Sequence, residues 1–124
     1  CRVRNGGRSM RRQADGKRAE ALAADYLQAR GLRLIKRNYR CRLGEIDLML
    51  SDGPVLVFVE VRLRRDPAYG GAAASINAAK RQRILMAARH YLAGKPECAC
   101  RFDVILLDAL AADRIEWIKD AFGE

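Results

Sequence analysis

Three segments of this chain carry acidic side chains that could bind a divalent cation beside a phosphate. Glu20 lies in a predicted helix, Asp47 in a predicted strand and Glu60 in the next strand, with Arg62 just beyond it. Carboxylate oxygens are typical ligands of Mg²⁺, and substrate phosphates often complete its coordination shell. The pattern therefore indicates metal-assisted chemistry at a phosphate, provided that the fold brings these segments together.

A predicted β-hairpin joins the second and third segments. Its strand-like runs are 45–50 and 55–62. The Asp52-Gly53-Pro54 sequence between them predicts a tight turn in which Gly53 takes a positive φ. If Gly53 and Pro54 form a two-residue loop, Asp52 pairs with Val55 and Asp47 lies directly across from Glu60.

Strand alternation then predicts which side chains share a face. Asp47 and Glu60 would project from one face, roughly 5 Å apart. The opposite face of the first run would carry Ile46, Leu48 and Leu50. Two carboxylates so close repel, and three remedies are open: a bound cation, a raised pKa on one carboxyl group, or neutralisation by Arg62 on the same face. A solvated salt-bridge cluster is the alternative to a metal site.

Two amphipathic helices and further strands frame the hairpin. Apolar residues recur at helical spacing from about 14 to 30, where Gly31 caps the helix, and again from about 77 to 93, with Asn77 or Ser75 as the N-cap. The remaining predicted strands are 32–39, 101–107 and 114–118. Asp103 interrupts the otherwise largely apolar strand at 101–107, and its expected partner is Arg101 or Arg40.

The composition predicts one folded domain with a polyanionic partner. The chain has 124 residues, a net charge of +9 and a pI near 9.9, which favours nucleic acid ahead of an anionic membrane surface. We expect no membrane association and a cytoplasmic location, because no apolar run approaches the roughly 18 to 20 residues of a membrane span. Met10 could be the initiator, so residues 1–9 are predicted to be a flexible basic tail that need not be native, and 10–124 the domain.

Basic residues cluster in three places that suit phosphate contacts. The run 36–42 interleaves cations with Tyr39, the loop after Arg62 is rich in arginine, and cations crowd the first turns of the second helix. Those last cations conflict with the helix dipole, and a bound phosphate would relieve the conflict. The candidate nucleic-acid-binding residues are Arg37, Arg40, Arg64, Arg65, Lys80, Arg81 and Arg83. The first two clusters could equally be solvated surfaces, whereas the helix cations favour nucleic-acid contact over a merely solvated face.

The order and spacing of the motifs resemble a known family from about Met10 to Phe122. The motifs are Gly16-x-x-x-Glu20-x-x-Ala23-x-x-Tyr26-Leu27, Gly31-x-x-Leu34-Ile35-x-Arg37-Asn38-Tyr39-Arg40, Gly44-Glu45-Ile46-Asp47-Leu48, Val57-Phe58-Val59-Glu60-Val61, Lys80-x-x-Arg83-Ile84 and Arg101-Phe102-Asp103-Val104. Together they resemble the bacterial YraN-like family of predicted endonucleases. That family is similar to archaeal Holliday-junction resolvases within the restriction-endonuclease-like PD-(D/E)xK superfamily.

The resemblance implies an α/β fold, a restriction-endonuclease-like mixed β-sheet flanked by helices in a single domain. It implies that Asp47 and Glu60 bind Mg²⁺ or Mn²⁺, that Glu20 belongs to the same metal site and assists through a metal-bound water, and that the substrate is branched or structured DNA. A second copy of the chain is a candidate partner, since resolvase-like enzymes make paired cuts. Arg62 departs from the family pattern, which has lysine at that position.

Arg62 leaves more than one function open. Arginine keeps the positive charge but is bulkier and effectively never deprotonated. It could stabilise charge on the phosphate, or Lys80 could supply an ammonium group near the site. The alternatives to a metal-dependent endonuclease are a nucleic-acid-binding module that has lost cleavage and an interaction subunit whose basic face docks an acidic protein.

Overall fold

The computed structural model contains a mixed sheet with one helix on each of its faces. It describes residues 6–63, 77–107 and 115–122, and it describes side chains for 16–62, 77–107 and 115–122. The elements are α1 (Gly6–Ala29), β1 (Arg33–Cys41), β2 (Gly44–Asp52), β3 (Val55–Leu63), α2 (Ala78–Leu92), β4 (Cys100–Leu107) and β5 (Ile115–Phe122). The helix α1 thus includes residues 6–9 of the predicted tail. The start of α1 at Gly6 and the end of β5 at Phe122 extend both elements beyond their predicted bounds.

The five strands lie in the order β1-β2-β3-β4-β5. Neighbouring strands are antiparallel, except β3 and β4, which are parallel and connected through α2. This single α/β domain is the predicted fold class and is consistent with a restriction-endonuclease-like fold.

Each helix packs on its own face of the sheet. The α1 face buries an Ala- and Leu-rich stripe of the helix against alternate strand residues, namely Ala19, Ala23, Ala24, Leu27, Leu48, Leu50, Val57, Val59, Ile105 and Leu107. The α2 face is more aromatic and contains Met49, Phe58, Ile84, Leu85, Ala87, Ala88 and Phe102. The helical stripes follow the predicted spacing, because burial of one face of each helix is what stabilises it.

The predicted helix caps and the predicted hairpin turn are confirmed. Gly31 ends α1 with φ 97°, and Leu32 N–H donates to the Leu27 carbonyl oxygen at 3.2 Å, as in a Schellman-type cap. The Asn77 side chain caps α2 by accepting from the Lys80 N–H at 2.8 Å. At the β2–β3 turn, Gly53 has φ 61° and Asp52 pairs with Val55, so the predicted hairpin register is correct.

At two places in β1 and β2, side chains depart from the regular alternation between the two faces of the sheet. The register shifts between Leu34 and Lys36, and Ile35 is left 46% exposed. Ile46 was predicted to lie on the face of Leu48 and Leu50; this was wrong, because Ile46 packs with the α2-side cluster. The alternation is broken at the residue between Ile46 and Leu48, where strand pairing is also interrupted.

Asp103 of β4 is fully buried in a hydrogen-bonded network with residues of β5. It accepts bonds from Arg101 Nε at 3.0 Å and from Trp117 Nε1 and the Asp120 N–H, both at 2.9 Å. Arg101 also reaches Asp52 at the hairpin turn, at 3.0 Å. Of the two expected partners for Asp103, Arg101 is therefore the correct one, and the network ties β4 to β5 and to the β2–β3 turn.

Neither helix in the described part of the chain combines the length and apolar character that crossing a membrane requires.

Candidate active site

The candidate site lies at an interruption in the sheet. Residue pairs between β1 and β2 pass from Arg37–Leu48 to Tyr39–Ile46, and those between β2 and β3 run from Asp52–Val55 to Leu48–Val59. Continuing the same registers brings Asn38, Asp47 and Glu60 to one level of the sheet. Here the Asp47 side chain, rather than a backbone carbonyl, accepts the Val61 N–H at 2.9 Å.

Asp47 and Glu60 form a buried carboxyl pair. Glu60 is only 3% exposed, and the two side chains are hydrogen-bonded to each other. Burial first, and then repulsion from Asp47, raises the pKa of Glu60 to about 8. Burial also raises the pKa of Asp47, although the Val61 N–H and the Glu60 hydrogen bond act in the opposite direction. Both carboxyl groups therefore hold a proton more readily than they would in water, and the pair can share one.

Two cations approach the Glu60 side of the pair. Lys80 Nζ, from the first turn of α2, lies 3.5 Å from Glu60 Oε2, and Arg62 Nη1 lies 3.8 Å from the same oxygen. The Lys80 side chain is 28% exposed and that of Arg62 is 41% exposed. Lys80 is therefore the nearer and the better shielded from solvent. Each of the three remedies expected for adjacent carboxylates is available here. The pair can share a proton, Arg62 can offset its negative charge, and a metal cation could take the place of the proton.

Glu20 approaches from the opposite helix. It is half-buried, and its pKa is raised by burial and by repulsion from Asp47, while a hydrogen bond from the Asn38 side chain lowers it. A cavity of about 390 Å³ borders Glu20 and is lined also by Gly16, Lys17, Asn38 and Arg40. The structure thus brings Glu20 within electrostatic reach of Asp47.

The acidic residues present fit a magnesium-type ion held mainly by substrate and water. Among the described side chains, no three His, Cys, Asp or Glu residues converge to form a ligand group. Mg²⁺ is commonly bound by only one or two carboxylates together with phosphate oxygens, which is what Asp47 and Glu60 can offer. Glu20 stays a predicted participant through a water molecule.

The predicted nucleic-acid-binding residues differ in their exposure to solvent and in their ion pairs. Arg37 and Arg83 are exposed, Arg81 is partly buried, and Arg40 forms an ion pair with Glu45 at 3.5 Å. Lys80 instead faces the carboxyl pair. Arg64 and Arg65 lie outside the described residues, so their role stays a prediction. No acidic residue occupies the first turn of α2, so the conflict between its cations and the helix dipole is present as expected.

Two residues contribute to the site in ways that the chemistry-bearing side chains alone do not reveal. Asn38 has φ 51°, a left-handed conformation that Asn tolerates better than most residues, and it bonds Glu20. Gly44 begins β2 where α2 crosses it, and a Cβ there would overlap the Arg83 carbonyl. An Asn within a strand and a Gly before the acidic motif were the available sequence signals.

Comparison with known proteins identifies the family. Residues 19–107 match the model described as Uncharacterised protein family UPF0102. A UPF0102 protein of Methylobacillus flagellatus is 57% identical over 108 residues, covering 87% of this chain and 96% of that protein. One from Dechloromonas aromatica is 56% identical over 110 residues, covering 89% of each. One from Nitrosomonas europaea is 51% identical over 110 residues, covering 88% of this chain and 93% of that protein. The chain therefore belongs to the UPF0102 family, which is the YraN-like family that its motifs resemble.

Proposed function

We propose that this protein is a metal-dependent endonuclease that hydrolyses phosphodiester bonds in branched or otherwise structured DNA. The observation that carries the proposal is the buried Asp47–Glu60 carboxyl pair with two cations beside it. A purely structural role does not explain why a fold would bury two adjacent acids at the cost of a raised pKa on both.

Different residues of the site would bind the metal ion, hold the phosphate and position the water. Asp47 and Glu60 would hold the Mg²⁺ or Mn²⁺ ion, whose chemistry is to lower the pKa of the attacking water and to offset charge on the phosphate. Lys80 and Arg62 hold the scissile phosphate electrostatically, and this role requires no proton exchange. Glu20, oriented by Asn38, positions the water on the α1 side.

The basic surface around the site supports a nucleic-acid substrate. Arg37 and Arg83 are exposed, and the cations at the start of α2 lie where a backbone phosphate would be stabilised by the helix N-terminus. The preference for branched DNA rests on the family resemblance.

The second candidate is a nucleic-acid-binding module of the same fold that no longer cleaves. Arg62 favours this alternative because it occupies the strand position where the nuclease pattern has lysine. The position of Lys80 favours the enzyme, since it supplies an ammonium group next to Glu60 from a different element.

Cleavage assays separate the two candidates. The purified chain is incubated with junction, flap and linear DNA in Mg²⁺ or Mn²⁺, beside Asp47→Ala and the matched control Asp25→Ala, which removes an exposed aspartate of α1. We expect metal-dependent products that disappear with Asp47→Ala and persist with Asp25→Ala. Binding that falls steeply with salt, without cut products on any substrate, would instead identify the binding module.

A further inference from the structure

A second cavity, distinct from the carboxyl site, lies between β1 and the end of α2. Its volume is about 510 Å³, within the roughly 300–1,000 Å³ typical of ligand sites. Its lining combines aromatic rings with lysines: Lys36 and Tyr39 from β1, His90 and Tyr91 from α2, and Lys95 beyond the helix. None of the described residues that line it is acidic.

The rings of this cavity are held in place by contacts with one another. The Tyr39 hydroxyl bonds His90 Nδ1 at 2.5 Å, so Nε2 is the imidazole nitrogen left for a ligand. Tyr39 also packs edge-on against Tyr91, with ring centroids 5.3 Å apart. His90 itself is exposed, as is Ile35 beside it. The result is a preformed aromatic and apolar surface that is open to solvent.

Two lysines give this surface a positive charge. Lys36 and Lys95 are both exposed, and Lys95 Nζ lies 4.3 Å from the centre of the Tyr91 ring. Aromatic rings that stack on bases, combined with cations that follow the backbone, are the means by which proteins bind single-stranded nucleic acid. Duplex DNA keeps its bases stacked inside and could use only the cations.

The position of the cavity relates it to the carboxyl site. Both borders belong to elements that also build that site: α2 carries Lys80 at its start and His90 near its end, and β1 carries Asn38 next to Tyr39. At about 1.5 Å per residue, Lys80 and His90 are about 15 Å apart along the helix axis. A strand that leaves a duplex bound at the carboxyl site could therefore reach the cavity within a few nucleotides.

We infer that this cavity binds an unpaired nucleotide of the DNA substrate, with the base against Tyr39 and His90 and the flanking phosphates at Lys36 and Lys95. The inference rests on the proposed function and narrows the substrate to duplexes with a single-stranded segment next to the cleaved strand. It also gives His90 a role that the sequence alone did not suggest.

Equilibrium binding in the presence of a chelator tests this without any cleavage. The probes are a blunt duplex and the same duplex with a short single-stranded extension that carries 2-aminopurine. The variants are the double substitution Lys36→Gln with Lys95→Gln, the single substitution His90→Ala, and the control Lys119→Gln, which removes one exposed lysine of β5 at the opposite edge of the sheet.

We expect the wild-type protein to bind the extended duplex about fivefold or more tightly than the blunt one and to quench 2-aminopurine, as one stacked base would produce. His90→Ala should lose this preference and keep its affinity for the blunt duplex, and the lysine double variant should lose the preference even where its affinity for the blunt duplex also falls. Lys119→Gln should keep the preference. Equal binding of the two duplexes by the wild-type protein overturns the inference alone, as does a preference that survives both sets of substitutions. Failure to bind either duplex, both in the chelator and when Ca²⁺ replaces it, overturns the proposed function as well.

Discussion

The ammonium group of Lys80 lies 3.5 Å from the Glu60 carboxyl group, closer than the guanidinium of Arg62 on Glu60's own strand. The two cations reach the same oxygen from different elements, α2 and β3. Lys80 is also the more shielded, so its charge acts in a lower-dielectric environment and is worth more to a phosphate or a carboxylate than the same charge in water. This arrangement makes Lys80, rather than Arg62, the candidate for the lysine function of a nuclease site.

Substituting Lys80→Gln should lower the cleavage rate by about 10²-fold or more, the typical cost of removing one group that stabilises transition-state charge. The N-cap of α2 should survive, because the Asn77 side chain bonds the Lys80 backbone N–H and not its side chain. Single-turnover cleavage measures the effect, with Lys119→Gln, which removes an exposed lysine of β5, as the control. Equal losses in both variants would show that general basicity, and not the position of Lys80, determines the rate.

The substitution Arg62→Lys should have little effect alone and should restore cleavage in the Lys80→Gln background. The physical reason is redundancy: a lysine at position 62 would approach the Glu60 oxygen that Arg62 now contacts at 3.8 Å. The four members of this double-mutant cycle are compared by cleavage rate on one substrate. A large gain from Arg62→Lys in the otherwise natural chain would contradict the assignment, because it would mean that Lys80 does not already fill the role.

Much of this site follows from sequence, and the exceptions have identifiable causes. The Asp47–Glu60 pairing was predictable because the loop at Gly53 fixes the hairpin register, and the face of Glu60 follows from it. The position of Ile46 was not predictable, because strand alternation assumes continuous pairing, and pairing is interrupted at Asp47. The left-handed Asn38 lies at the same interruption.

Contacts made across the chain were harder to predict than those within the hairpin. The choice between Arg62 and Lys80 as the nearer cation depends on how α2 packs on β2, which local patterns do not specify. The bond between Tyr39 and His90 likewise joins residues far apart in sequence, and a lone histidine on an amphipathic helix gives no sign of its partner.

The metal-free protein should lose stability as the pH rises from about 5 to about 8. The folded pKa of Glu60, about 8, is above its ordinary value of 4.5, so in this window the native state binds more protons than the unfolded state. Stability is therefore fully present below the unfolded pKa and falls until the folded pKa is passed. Urea denaturation in a chelator, at several pH values, measures the slope. Glu60→Gln should flatten it, whereas stability that rises across this window would contradict the burial of the acid pair.

Asp103→Ala should destabilise the fold by about 3–5 kcal/mol, the usual cost of removing one partner of a buried ion pair. Asp103 is fully buried and accepts bonds from Arg101 Nε, Trp117 Nε1 and the Asp120 N–H, so its removal takes the acceptor from all three donors, although Arg101 keeps its ion pair with Asp52. Urea denaturation gives the magnitude, and adding Arg101→Met should recover part of it. Because this acid is assigned to the scaffold, cleavage at a temperature where the variant is fully folded should be near wild-type; a large loss there would instead assign Asp103 to the active site.

Gly44→Ala should destabilise the protein by about 1–3 kcal/mol, as overpacking of a close contact typically does. The added Cβ would meet the backbone carbonyl of Arg83, which cannot rotate away as a side chain could, so α2 must shift from β2. The same shift would move Lys80 relative to Glu60, and we expect cleavage to fall more than the loss of folded protein explains.

Gly16→Ala is the matched control: nothing lies within 4 Å of a Cβ at that helical position, so it should stabilise α1 by about 0.4–1 kcal/mol. Thermal and urea denaturation, read beside the cleavage rate of each variant, separate the two effects, and a Gly44→Ala protein with unchanged stability would show that the β2–α2 contact is looser than this packing requires.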